Sequence, residues 1–363
     1  MLILAILAIF GVIVIARSFL MPVFLAFLLS ITVSPIRRAL AKRGIPSVVT
    51  AAVVVAGLLF GVVALAYALS GPVQEYARHS ETIAREVESK LRGVNEAIEA
   101  VAEATEDVQS MAGADEDDVK GEQTQTVVVT QGPGILSRLA TTAPAVVGQV
   151  VFTLALLFFL TASGDMFYRK IVEASPRFSD KRRALGIAFD IEKKLSRYFL
   201  TITVINAGLG VCVGAALWWA GMPNPLLFGV GAFALNFIPY LGAIAGVALT
   251  FFLGIVSMET IGQAVLAAGL YLGLTSLEGQ FVTPYAVGRS LKLNPVVVFV
   301  SVAFWGWAWS FIGMFIAVPT LIAIRVFADH VPKMNALGIF LSGIDDDDEE
   351  DDGHRSATKH EAA

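Results

Sequence analysis

Long apolar runs recur along this chain and leave little choice of fold. A helix satisfies its own backbone N–H and C=O groups, so a run of about 20 apolar residues is the unit that crosses a hydrocarbon core. Such runs, or near-runs, lie at 1–16, 20–36, 47–70, 145–162, 199–220, 224–255, 260–279 and 294–328. Of 363 residues, 56% are hydrophobic and only 16% charged, a surplus that one soluble core cannot hide. The chain therefore reads as an all-α integral membrane protein of about eight membrane segments. The first run lacks the basic leader and the small-residue cleavage site of a signal peptide, so it reads as a transmembrane helix.

Two runs are too long for one crossing. As straight helices, 224–255 and 294–328 would each reach roughly 50 Å at 1.5 Å per residue. Pro239 and Gly242 interrupt the first, Gly313 and Pro319 the second. Each is expected to be a broken span or a hairpin that enters and leaves on one side. Flanking charge bears on the choice, because lysine and arginine stay on the cytoplasmic side. Arg37, Arg38, Lys42 and Arg43 follow the second run, and a basic cluster from Arg169 to Arg197 follows the fourth. Residues 71–144 hold 14 acids against 6 bases. The expected topology puts 37–43, 165–198 and both termini inside, with 71–144 outside. Arg289 and Lys292 favour the inside for the loop 281–293 as well, which implies two hairpins opening from opposite sides.

The chain divides accordingly. Residues 1–70 are N-terminal transmembrane helices, 71–144 an extracytoplasmic helical and acidic segment, and 145–198 the fourth span with a basic segment. Residues 199–330 form a core with broken helices, and 331–363 an acidic tail expected to be disordered. In the external segment Ile83, Val87, Leu91, Val94, Ile98 and Val101 follow a near-heptad spacing, which fits either packing on the protein's own outer face or self-association. The single cysteine, Cys212, excludes an internal disulfide. No phosphate loop, H-E-x-x-H, G-x-S-x-G or Cys/His cluster occurs, so the chain reads as neither an enzyme nor a cofactor carrier, and nothing points to nucleic acid.

The residues of chemical interest are polar groups and helix breakers inside apolar runs. A broken helix frees backbone groups, which are tolerated only where protein or a water-filled cavity meets them. In Asn236-Phe237-Ile238-Pro239-Tyr240-Leu241-Gly242, Asn236 offers a donor and an acceptor, Pro239 frees a carbonyl and Gly242 permits a tight turn. The alternative is a proline kink with no ligand. Glu278 closes the run 260–277 and precedes Gln280 and Pro284; a carboxylate at membrane depth is a site residue or an ion-pair partner, here of Arg289. Asn224-Pro225 and Asn294-Pro295 each lead an apolar run to a break, as corresponding halves of a transporter repeat do. Trp305, Trp307 and Trp309 read as an interfacial anchor. Gly313 with Ala317, and Gly208, Gly210 and Gly214, have the spacing of close helix packing.

Together these pieces resemble one known group. Gly221-Met222-Pro223, Asn236 to Gly242, Glu278 to Pro284, Val287-Gly288-Arg289-Ser290-Leu291-Lys292-Leu293-Asn294-Pro295 and Gly313 to Pro319 are similar to motifs of the autoinducer-2 exporter family of bacterial transporters. The family often has an acid where this sequence has Asn236, and a histidine where it has Asn294. The resemblance implies a homo-oligomer of the bacterial plasma membrane, a small polar solute like autoinducer-2, and in some relatives exchange of sodium for protons. The expectation is an exporter working by alternating access. Its solute site would be lined by Asn236, Pro239, Tyr240, Gly242, Glu278 and Gln280, with Pro284, Gly288, Asn294, Pro295, Gly313 and Pro319 as break or packing positions. A cation/proton antiporter using Glu278, and a non-transporting scaffold using the external helix, are the alternatives.

Overall fold

A computed structural model describes residues 4, 11–78, 135–164, 166–174, 178–287, 293–331 and 334–343. Most of the first run, nearly all of the external segment with its heptad positions, and the acidic tail lie outside the described residues. The helices are α1 (Arg17–Ala41), α2 (Ser47–Arg78), α3 (Ile135–Ala162), α4 (Met166–Ala174), α5 (Phe178–Trp219), α6 (Pro225–Leu235), α7 (Leu241–Ser257), α8 (Ile261–Leu277), α9 (Thr283–Val287), α10 (Pro295–His330) and α11 (Asn335–Leu341). A π-helical turn, Glu278–Val282, joins α8 to α9. Apart from one bridge between Leu293 and Ser342, the described residues form no β structure. Six of these helical stretches are long and apolar enough to cross a membrane, and α6 and α7 are shorter apolar helices. The chain is an all-α, multi-pass membrane protein.

Helix α5 is the axis of the described residues. It begins at Phe178 rather than near 199, and its 42 residues span about 63 Å. The basic cluster at 181–197 hides this helix from a hydropathy reading. One face nonetheless repeats through it, with Glu192, Leu195, Phe199, Ile202, Asn206, Leu209, Val213 and Leu217 all buried at the three- and four-residue spacing of a helix stripe. Helices α1, α2 and α3 pack about Ala26, Leu154 and Leu157. Helix α6 lies close to α5 because Gly210 and Gly229 face each other; a Cβ on either would fall 2.7 Å from the other's carbonyl oxygen. Gly214 shares this seam, whereas nothing lies within 4 Å of a Cβ on Gly208.

Both over-long runs fold as hairpins. Proline at the first helical position starts each one, in α6 and in α10, where its missing N–H costs nothing. In the first, α6 and α7 are joined through Asn236–Tyr240, with Tyr240 at φ +63°. In the second, α10 breaks at Trp309 and Ser310, the latter at φ +57° and ψ −144°. Each reversal is sealed in the same way. A Cβ on Gly242 would lie 1.9 Å from the Leu235 carbonyl oxygen, and one on Gly313 would lie 1.9 Å from that of Trp305. Only glycine permits either approach.

The hairpins enter from opposite directions along α5. Glu75 accepts from Asn224 at 3.0 Å and Tyr76 meets Ser257 at 3.2 Å, so both legs of the first hairpin stand by the end of α2. The second hairpin is anchored in the N-terminal half of α5, by Lys194–Asp329 at 3.7 Å and His330–Asp190 at 3.1 Å. The Asn294 N–H donates to the Leu341 carbonyl at 3.1 Å on that same base. The two hairpins approach each other midway, where the rings of Phe237 and Phe315 lie 5.0 Å apart. Trp309 corrects the expectation of an interfacial tryptophan anchor. It is 1% exposed at the second reversal, its ring packs edge-on against Phe24 and Trp305, and its indole N–H donates to the Ile13 carbonyl at 3.0 Å.

Candidate functional site

The tip of the first hairpin carries a polar cluster inside an otherwise apolar bundle. Asn236 caps α6, and its Nδ2 donates to Asn206 Oδ1 of α5 at 2.9 Å and to Glu278 Oε2 at 3.1 Å. Thr283 Oγ1 donates to the other oxygen of the same carboxylate. Glu278 is buried, and its two donors offset part of the cost of holding a carboxylate away from water. It sits at the start of the π-helical turn between α8 and α9, where the Thr283 N–H donates to the Glu278 carbonyl and so holds Thr283 beside it. Insertions of this kind recur at functional sites.

The cluster is incompletely satisfied. Asn206 is 0% exposed, yet its Nδ2 has no hydrogen-bond acceptor, and the buried Thr275 Oγ1 also lacks a partner. Beside them opens a cavity of about 630 Å³, lined on its polar side by Asn236, Thr275, Ser276, Glu278, Gln280 and Thr283. Tyr198, Ile202, Phe237, Ile244, Leu272 and Val318 supply apolar wall. That volume and that mixture suit a small molecule held by a few convergent polar groups. Amides and hydroxyls both donate and accept, so the chemistry fits a hydroxylated, uncharged or cationic solute better than an anion facing Glu278.

The expected residues separate into groups. Asn236, Pro239, Tyr240, Glu278 and Gln280 come together on the cavity wall. Gly242 stands just behind it at the sealed reversal. Asn294 caps α10 through the Val296 N–H at 3.0 Å, with Pro295 next. Gly313 and Pro319 are buried in the second hairpin, whose Val318 reaches the cavity. Pro284 lies on exposed backbone of α9, off the cavity wall. Gly288 lies outside the described residues, as does the pairing of Glu278 with Arg289. Asn206 was not singled out from the sequence; a lone amide in the run Ile205-Asn206-Ala207-Gly208 was its only signal.

Comparison with known proteins gives this arrangement a family. The model of the AI-2E family transporters matches residues 2–333. AI-2 transport protein TqsA of Escherichia coli is 22% identical over 330 residues, 91% of each chain. MT0215 of Mycobacterium tuberculosis, provisionally named as a transport protein, is 28% identical over 305 residues, 83% of this chain and 79% of its own. A Borreliella burgdorferi relative with the same provisional name is 26% identical over 196 residues. The chain matches about half of that relative's length, 54%. With opposed hairpins, a polar cluster at a hairpin tip and a match that runs nearly end to end, the chain belongs to the AI-2E family of membrane transporters.

Proposed function

We propose that the chain is a secondary transporter that exports a small polar solute by alternating access, with the cavity at the first hairpin tip as the solute site. The observation that carries this reading is the link from Asn236 to Asn206 and Glu278 at the edge of the cavity. The hairpin tip there meets a helix of the bundle and a buried carboxylate at one point. Solute binding in place of those hydrogen bonds would couple occupancy to hairpin position. The similarity to the AI-2 transport protein TqsA supports a solute like autoinducer-2, and a donor- and acceptor-rich cavity suits a small polyol. In this reading the C-terminal segments, 224–330, move against a scaffold of N-terminal spans in the bacterial plasma membrane. Residues 71–144 lie outside, and the working unit is a homo-oligomer.

A second reading uses the same carboxylate. As a cation/proton antiporter, the chain would cycle Glu278 between protonated and cation-bound forms, and the burial of Glu278 among neutral donors favours it. Reconstitution separates the two. A solute exporter shows solute flux that Glu278→Gln and Asn236→Ala each reduce at least tenfold. An antiporter instead shows a sodium-driven pH change in vesicles that Glu278→Gln abolishes. Solute flux untouched by both substitutions would remove the cavity from the transport route.

A further inference from the structure

The cavity at the first hairpin tip continues in one direction and stops in the other. On α5 its wall is Ile202 and Tyr198, in the half of the helix that Asp190 and Lys194 join to the second hairpin. Leu293 and Val298, where that hairpin begins, line it as well. Toward the base of the first hairpin the wall ends. No residue of α6 lines the cavity, and α7 contributes only Ala243 and Ile244 of its first turn. Past that level α5, α6 and α8 close around Leu209, Val213, Leu217, Phe228, Met258 and Tyr271, with Val247 and Leu253 of α7 packed on them. The seams leave no passage. Gly210 and Gly229 face each other, Gly246 meets the Tyr271 hydroxyl with no room for a Cβ, and Gly254 lies against Ala264.

The base of the same hairpin is fastened to α2, one contact to each leg. Asn224 Nδ2 donates to Glu75 Oε2 at 3.0 Å, and Tyr76 meets Ser257 at 3.2 Å. Ser257 Oγ itself donates to the Leu253 carbonyl of its own helix, so the Tyr76 hydroxyl is the donor in that pair. The 11 residues of α6, about 16 Å of helix, separate this clasp from the tip. We propose that the plug and its clasp are the outer gate of the transport site, closed here while the site opens toward the base of the second hairpin. The proposal rests on the alternating-access reading and adds what shuts the site, and on which side. With residues 71–144 outside, α2 ends on the outer face and the site opens to the cytoplasm, where an exporter loads. Release requires Glu75 and Tyr76 to give up the hairpin and the plug to part. Two hydrogen bonds that exchange for water make a clasp that breaks and re-forms at small net cost.

The test needs no solute. In a Cys212→Ser background, Ser276→Cys on the cavity wall is exposed to a charged, membrane-impermeant methanethiosulfonate on one face or the other of oriented vesicles. Arg289→Cys, in the loop before the second hairpin, marks the side. Ser276→Cys should react at least tenfold faster from the face that labels Arg289→Cys than from the opposite face. That comparison holds whichever way the chain is inserted. Labelling of Arg289→Cys from outside would therefore overturn the orientation while leaving the gate in place. Tyr76→Phe with Asn224→Ala removes both bonds of the clasp without touching plug or cavity. It should raise the Ser276→Cys rate from the opposite face about tenfold, the weight of two net hydrogen bonds, and leave the other rate unchanged. Tyr76→Phe alone should raise it about threefold, which covers the case in which the double variant does not fold. Equal Ser276→Cys rates from both faces, a faster rate from the face opposite Arg289→Cys, or an opposite-face rate that neither loss raises would each overturn the assignment.

Discussion

Asn206 and Glu278 together decide what the first hairpin tip can do. A buried amide that loses its partner costs about 1–3 kcal/mol, and Asn206 holds the tip through one bond while keeping an unused donor. Asn206→Leu should therefore reduce solute flux in proteoliposomes about tenfold or more while the protein still folds, because leucine fills the site without a stranded donor. Flux equal to wild type in that variant would limit Asn206 to packing. Gly242 and Gly313 make a different demand. With a Cβ 1.9 Å from a backbone carbonyl, Gly242→Ala and Gly313→Ala should each destabilise the protein by more than about 2 kcal/mol, read as a fall in detergent melting temperature. Gly231→Ala, where nothing lies within 4 Å, should be neutral. Pro239, Tyr240 and Glu278 were legible in the sequence because a breaker or a charge inside an apolar run is conspicuous. Asn206 was not, because one amide in a long apolar run has no local partner to mark it.

At the level of elements, the two hairpins account for segments that length alone left open. Excess length and internal proline or glycine show that a run cannot be one straight span, but only the reversal distinguishes a kink from a hairpin. That reversal depends on contacts seven and eight residues apart, Leu235 with Gly242 and Trp305 with Gly313, which no periodicity encodes. The start of α5 escaped sequence reading for a complementary reason. Hydropathy averages all faces of a helix, so Lys193, Lys194 and Arg197 masked the buried stripe through Leu195 and Phe199. Opposed hairpins carry a topological consequence under the proposed orientation. A cysteine placed at Arg289 in a Cys212→Ser background should react only with reagents that reach the cytoplasm. Reaction from outside would invert that end of the second hairpin. The glycine seam is also testable. Gly229→Val should push α6 from α5 and lower both melting temperature and flux, since the clash falls on backbone rather than on a flexible side chain.

Across the whole molecule, the bundle has a division of labour. Helices α1, α2 and α3 share one apolar core, whereas the second hairpin, the middle of α5 and the first hairpin tip share another with Leu28 and Ile31 of α1. Beside that second region lies the polar Asn206–Asn236–Glu278–Thr283 cluster, which fits a site whose contacts must break and re-form during each cycle. Alternating access at this site requires the first hairpin tip to leave α5 when solute passes. The most direct measurement is the residual flux of an Asn206→Cys, Asn236→Cys double variant in the Cys212→Ser background, compared before and after the pair is joined by a short thiol cross-linker and the cross-link confirmed by mass. Joining the pair should arrest that flux, and a cleavable linker should restore it on reduction. Undiminished flux through a fully cross-linked protein would contradict that requirement.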